Sequence, residues 1–481
     1  MNKLFIGREN EQKLLKEYLC SDQSEFIAVY GRRRVGKTFL IQQVIGNDYA
    51  FYAAGMHKVT MRIQLDNFMA ALKKRGAKVA RPKTWLDAFM ALENYLESLP
   101  EGRKIVFIDE MPWMDTPRSN FISGLEHFWN SWASWRDDIK LIVCGSATSW
   151  IINNLIKNRG GLHNRVTHKI PLKPFTLREC QEYFTARGFR ITQKAIAECY
   201  MVLGGVPFYL SKMEKSEGIA QNIDRLIFAE DGELHDEFLS LYNSLYKNAD
   251  KHIKIVTALA TKGKGLTRKE ILQKTKIPDN GKFSTMLEEL EHCGFIRSYE
   301  QFGQIQSKRN TTDERQSPDT LFQLVDPFTL FHFQVVNRSS QDPSYWSNNQ
   351  NSHLHSAWSG LAFEMLCLNH IEQIKSSLGI SGIVANVCSW FGKGEERSAQ
   401  IDLVIDRADN VVNLCEMKFY NKPYVMTSKD SDDIERKVAT FMEATGTDKN
   451  VIVTMVTSKG LERNEYSESV QKTITLEDLF C

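Results

Sequence analysis

The chain has 481 residues, of which 42% are hydrophobic and 25% charged, with a formal net charge of +2. Such a length predicts three or four domains, and the composition is that of an ordinary soluble protein. Near-neutral charge neither demands nor forbids nucleic acid, so any such surface must come from local clustering. Nine scattered cysteines without a C-x-x-C pair point to buried reduced thiols, not to a zinc site or a disulfide framework. The first ten residues lack an apolar signal core, and no run of 18 apolar residues occurs. The expectation is a cytoplasmic chain that does not span a membrane.

Along the chain, Phe5-Ile6-Gly7-Arg8-Glu9 leads into an amphipathic helix with Leu14, Leu15, Tyr18 and Leu19 at helical spacing. The apolar strand Phe26 to Tyr30 follows, then Gly31-Arg32-Arg33-Arg34-Val35-Gly36-Lys37-Thr38, then an apolar helix from Phe39. This octet fits G-x-x-x-x-G-K-[ST] in its strand–loop–helix context, so it reads as a phosphate-binding loop for ATP. Its two glycines let backbone N–H groups turn inward, and the helix N-terminus adds its positive dipole end. Lys37 would reach the β- and γ-phosphates, and Thr38 would ligate Mg²⁺.

A second strand, Lys104 to Ile108, ends in Asp109-Glu110. Asp109 would hold the Mg²⁺ shell and Glu110 would polarise the attacking water. In a parallel sheet both strand ends meet at one edge. The third strand, from Lys140, closes on Gly145-Ser146. Ser146 there is either a sensor of the γ-phosphate or a plain strand-ending serine. The aromatic stretch Phe121 to Trp132 recurs at helical spacing and reads as core.

The glycine-bounded triple-arginine loop, the Asp-Glu strand, the Gly-Ser strand end and a later Gly204-Gly205-Val206-Pro207 together resemble the AAA-type P-loop ATPases of archaea and bacteria. This family lies near the STAND and ORC-like branches and often carries a C-terminal restriction-endonuclease-like domain. The resemblance implies that the Arg8–Glu9 segment lies against the nucleotide base and that the turn at Pro207 lies near the adenine. It also points to Arg165 as a cation on the transferring phosphate, within or between subunits, with Arg159 second. Asn164 stands where the family has glycine.

Farther on, short helices around Ile253–Ala260, Leu266–Leu272 and Phe283–Leu290 precede a hairpin, as in a winged helix-turn-helix. Thr267 and Glu270 have capping-box spacing. Lys274, Lys276, Lys282, Lys308, Arg309 and Arg315 could meet DNA phosphates, although Glu288, Glu289 and Glu291 would repel them. A packing or oligomerisation role is the alternative. The polar stretch from Asp342 to Ser352 reads as a linker.

Two alternating strands, Ala399 to Asp406 and Val411 to Lys418, flank a turn. Pairing about Asp409 sets Asp402 opposite Glu416, with Glu416 and Lys418 on one face. With Glu364 from a preceding helix, this matches the D…E-x-K pattern of PD-(D/E)xK nucleases, where Asp402, Glu416 and Glu364 bind Mg²⁺ and Lys418 orients water. A cross-strand ion pair is the plainer reading.

The expected fold is thus a multidomain α/β chain. It comprises an AAA-type αβα core over 1–155, a helical lid over 156–248, a winged helix over 249–340 and a restriction-endonuclease-like α/β domain over 341–481. The expected activity is ATP hydrolysis coupled to a DNA-binding, nuclease-like domain, with self-association left open. The alternative is a nucleotide-switched regulator whose C-terminal domain is inactive.

Overall fold

Five parallel strands organise the first of two compact units, Met1–Pro174. They are β1 (Glu25–Tyr30), β2 (Phe51–Ala54), β3 (Lys104–Asp109), β4 (Ile139–Gly145) and β5 (His168–Pro171), in the order β2-β3-β4-β1-β5. The computed structural model describes residues 5–158, 160–246, 248–300, 302, 320–339, 342–393 and 398–481. Arg159, Lys308, Arg309 and Arg315 lie outside the described residues.

Side-chain alternation explains the layering. Phe26, Ala28, Val106, Ile108, Leu141 and Val143 pack on one face, against the helices Met61–Lys74, Trp85–Glu97 and Phe121–His127. Their neighbours Ile27, Val29, Ile105, Phe107, Ile142 and Cys144 pack on the other, against the helices Glu9–Leu19 and Lys37–Ile45. Consecutive apolar residues on both faces of the central strands are what a parallel sheet covered on both sides requires. The aromatics Phe121, Phe128 and Trp129 are core, and Phe51 is fully buried in β2.

The expected lid is divided by the observed boundary. Register from Ile27↔His168 to Tyr30↔Pro171 docks β5 on β1, so the first unit runs to Pro174.

The second unit, Phe175–Cys481, begins with the helices Leu177–Ala186 and Gln193–Leu203. Three helices follow, Ala249–Leu259, Arg268–Thr275 and Gly281–His292. An antiparallel sheet accompanies them, ordered β6 (Leu266–Thr267), β8 (Leu321–Leu324), β7 (Ile296–Tyr299). Thr267 and Glu270 form the capping box that their spacing predicts.

The expected linker is instead a docked turn. Trp346 is buried, and the main-chain N–H groups of Trp346 and Ser347 donate to the Asp224 carboxylate at 2.8 and 3.0 Å. Polar composition concealed one large aromatic anchor, whose burial fixes the segment.

In the C-terminal sheet, strands β9 (Ala385–Lys393), β10 (Ser398–Arg407) and β11 (Val411–Lys418) are antiparallel. Strands β12 (Asn450–Thr457) and β13 (Lys472–Thr475) continue parallel to β11, giving the order β13-β12-β11-β10-β9. The helix Ser428–Thr445 connects β11 to β12, the crossover that parallel strands need. Phe363 and Leu366 of the helix His353–Asn369 share a core with Leu403, Ile405, Cys415 and Met417. Ile401, Val404, Val412 and Leu414 face the other way, toward Phe441.

No helix among the described residues is long and apolar enough to cross a membrane.

Candidate active sites

At the carboxyl edge of the first sheet, the loop after β1 is shaped by steric necessity. Gly31 has φ +146°, and a Cβ there would lie 2.2 Å from the Leu172 carbonyl oxygen, so only glycine fits. Arg34 (φ 72°) and Gly36 (φ 90°) complete the turn in the left-handed region. Lys37 is 5% exposed, and its ammonium donates to the carbonyls of Gly31 and Arg32 at 2.9 Å each. Arg32 and Val35 are buried, whereas Arg33 is exposed. Val35 packs with Leu40 and Leu172, which anchors the loop to the helix it starts.

The other expected residues converge on the same edge. The Thr38 hydroxyl donates to Asp109 Oδ1 at 3.1 Å. Octahedral Mg²⁺ with ligands at about 2.1 Å sets adjacent oxygens about 3 Å apart, so this donor pair fits the ion. Burial pushes the Asp109 carboxyl above its ordinary range, against a hydrogen bond from the Cys144 thiol that lowers it. Tyr52, whose OH lies 3.5 Å from Asp109 Oδ2, is pushed up to about 12 by burial and by the Asp109 charge.

Glu110 is left-handed (φ 44°). Its carboxylate accepts from the Ser146 main-chain N–H at 3.0 Å and the Ser146 hydroxyl at 2.9 Å. Ser146, read as a possible phosphate sensor, thus grips the residue expected to polarise water. Gly55 makes room for this turn, since a Cβ there would lie 2.3 Å from the Glu110 carbonyl oxygen.

Sequence reasoning missed Tyr52 and Cys144, which reach Asp109 from neighbouring strands, and the hold of Arg8 on the loop. The Arg8 guanidinium is buried and donates to the Lys173 carbonyl at 2.6 Å and to the Val35 carbonyl at 3.5 Å. Arg165 is exposed at the end of a turn. Asn164 before it has φ 55°; asparagine is the residue that most readily replaces glycine in that region. Pro207 belongs to the second unit, where it starts the short helix Pro207–Leu210.

The second unit brings the other four residues together. The β10–β11 register runs from Asp406↔Val412 to Leu403↔Cys415; the next step along it sets Asp402 against Glu416. On its other side β10 slips register against β9 between Ile401 and Val404. Ile401 and Val404 consequently face the same core, three residues apart, where regular alternation would oppose them. Asp402 sits in that bulge, a device that re-aims a side chain.

Burial pushes the Asp402 and Glu364 carboxyls up, and the neighbouring carboxylate charges push them further. The two ammoniums of Lys418 and Lys437 pull both back. Lys418 Nζ lies 3.2 Å from Glu416 Oε1. Lys437, which sequence reasoning missed, spans both Glu416 oxygens at 2.9 and 2.8 Å. Burial lowers the pKa of each lysine, but the Glu416 charge and hydrogen bond outweigh it and leave both raised. Three carboxylates are the right donors for a hard cation. As they stand they do not fit one, for among the described residues no group of three His, Cys, Asp or Glu could hold a metal ion.

Comparison with known proteins agrees with the first site. Residues 5–213 match the family ATPase_2, described as an ATPase domain predominantly from Archaea. An uncharacterized protein of Methanocaldococcus jannaschii is 24% identical over 410 residues, 83% of this chain and 84% of that protein. Among solved structures, a Walker-type ATPase of Pyrococcus abyssi is similar at 17% identity and a TM-score of 0.48, over 69% of this chain and 96% of that one. The ORC2 protein of Aeropyrum pernix is similar at 15% identity and a TM-score of 0.33, over 67% and 91%. The family match and the loop geometry support a nucleotide-binding P-loop ATPase.

Proposed function

We propose that the chain couples ATP hydrolysis in its first unit to phosphodiester chemistry on DNA in its second. Glu110, oriented by Ser146, would polarise the attacking water, and Lys37, Thr38 and Asp109 would hold ATP and Mg²⁺. Arg165 would complete the nucleotide site, and the three-helix module would dock on DNA as a winged helix. The observation that carries the nuclease half is the register that sets Asp402 against Glu416 at a bulged strand, with Lys418 3.2 Å from the Glu416 carboxylate. An idle set of half-buried carboxylates would be costly to keep. Incubating the protein with Mg²⁺ and DNA, with and without ATP, tests this reading. Cleavage that disappears in Glu416→Ala supports it; no cleavage under any condition, or cleavage that survives that substitution, sinks the nuclease half.

One observation favours a second reading, a nucleotide-switched DNA-binding regulator with an inactive C-terminal site. Glu416 is already paired with two lysines. Tight, salt-sensitive DNA binding without cleavage supports that reading.

A further inference from the structure

The ion pairing around Glu416 is more specific than a surface contact. Glu416 is 12% exposed and Lys437 17% exposed, and one ammonium covers both carboxylate oxygens. Lys418 approaches the same carboxylate from its own strand, so Glu416 faces two positive charges while Asp402 and Glu364 stand close by. A divalent cation entering this cluster would meet both ammoniums at short range, where Coulomb repulsion is strong.

Lys437 has a second acceptor one helical turn back. Asp433 Oδ2 lies 3.3 Å from its Nζ, and Asp433 is 42% exposed. The two sit at i and i+4 on the helix Ser428–Thr445, and Asp433, which also pairs with Arg436, helps hold the ammonium where it faces Glu416. Lysine suits such a part, being a compact charge on a flexible stem, whereas an arginine fork would bind the carboxylate more rigidly.

We propose that Lys437 is an internal counter-cation that holds the C-terminal carboxylate site closed to a divalent ion. This rests on the nuclease reading of the same residues. It accounts for a cluster with the right donors and no ready ligand set: the place of the ion beside Glu416 is taken by the protein's own ammonium. Lys437 is therefore a positioning residue, acting through Glu416.

Mn²⁺ binding, followed by the electron paramagnetic resonance of the free ion on the full chain without nucleotide, tests this. The signal of this site is the uptake lost in Asp402→Asn. Lys437→Gln, and Lys437→Met as a variant that keeps the stem's packing, should each bind Mn²⁺ about tenfold more tightly than the natural chain. Lys437→Arg should bind it more weakly. Circular dichroism and the melting temperature establish that each variant is folded. Unchanged affinity in both Lys437→Gln and Lys437→Met overturns the proposal and leaves the nuclease reading standing. Absence of any Asp402-dependent uptake in the natural chain and in both variants overturns both.

Discussion

Ser146 donates twice to one carboxylate, and that pair of bonds gives its substitution a distinct signature. The hydroxyl at 2.9 Å and the N–H at 3.0 Å fix Glu110 Oε2, while the left-handed backbone of Glu110 sets where the side chain starts. Removing the hydroxyl leaves the N–H bond, so orientation is loosened and not lost. Ser146→Ala should lower kcat for ATP about tenfold, a fraction of the roughly 10²–10⁴ that a positioned base supplies, and leave KM nearly unchanged. Ser146→Thr should restore it. Steady-state phosphate release reads this out; a rise in KM at constant kcat would instead put the hydroxyl on bound nucleotide. The position of Ser146 was legible in the sequence, because an apolar strand ending in a small polar residue points to a sheet edge. Its partner was not, since a hydroxyl ending the strand next to that of Glu110 carries no pattern that distinguishes carboxylate from phosphate.

Among the elements, the helices Leu177–Ala186 and His353–Asn369 are joined through one imidazole. The Leu177 N–H donates to His370 Nε2 at 3.0 Å, which makes Nε2 an acceptor and leaves the Nδ1–H to donate to the Leu366 carbonyl at 2.8 Å. His370 is fully buried, and burial drives its pKa from 6.5 down to about 4. Protonation would cost the Leu177 bond and bury a charge. The unfolded chain binds this proton below about pH 6.5, while the folded chain resists until about pH 4. Stability is therefore complete above pH 6.5 and should fall by about 1.4 kcal/mol per pH unit between those limits on account of this residue. Urea midpoints at a series of pH values measure the slope, and His370→Gln should flatten it by about that amount whatever its effect at neutral pH. Nothing in the sequence separated His370 from an exposed histidine, because the element that buries it lies 193 residues upstream. Local signals were readable where both partners were local. The Thr267–Glu270 capping box and the hairpin turning about Asp409 are examples. The bulge at Asp402 was hidden by the apolar run Ile401, Leu403, Val404 and Ile405, which masks any change in alternation. Lys437 was hidden by distance, 21 residues past Glu416 on a helix that no sequence signal ties to that strand.

For the whole molecule, a net charge of +2 means that the proposed DNA affinity would have to come from a few placed cations against an otherwise balanced surface. Lys274, Lys276 and Lys282 are exposed on the three-helix module. The acidic residues expected to oppose them are partly engaged in hydrogen bonds within the fold. Glu289 lies 2.7 Å from His252, and Glu291 accepts from the Ser298 main-chain N–H at 2.8 Å, which leaves Glu288 as the exposed carboxylate of that group. Each lysine on a phosphate releases condensed counterions and contributes roughly −0.9 to the slope of log K against log salt on duplex DNA. Replacing all three with alanine should make the slope shallower by about 2.7, the sum of three such contacts. Fluorescence anisotropy of a labelled duplex across a salt series gives the slope directly. The change should be the same for unrelated sequences, since phosphate contacts carry no sequence information. Nucleotide affinity, which depends on the other unit's loop, should be unaffected. A slope unchanged in the triple variant would place the DNA elsewhere on the chain and leave the three-helix module with a packing role.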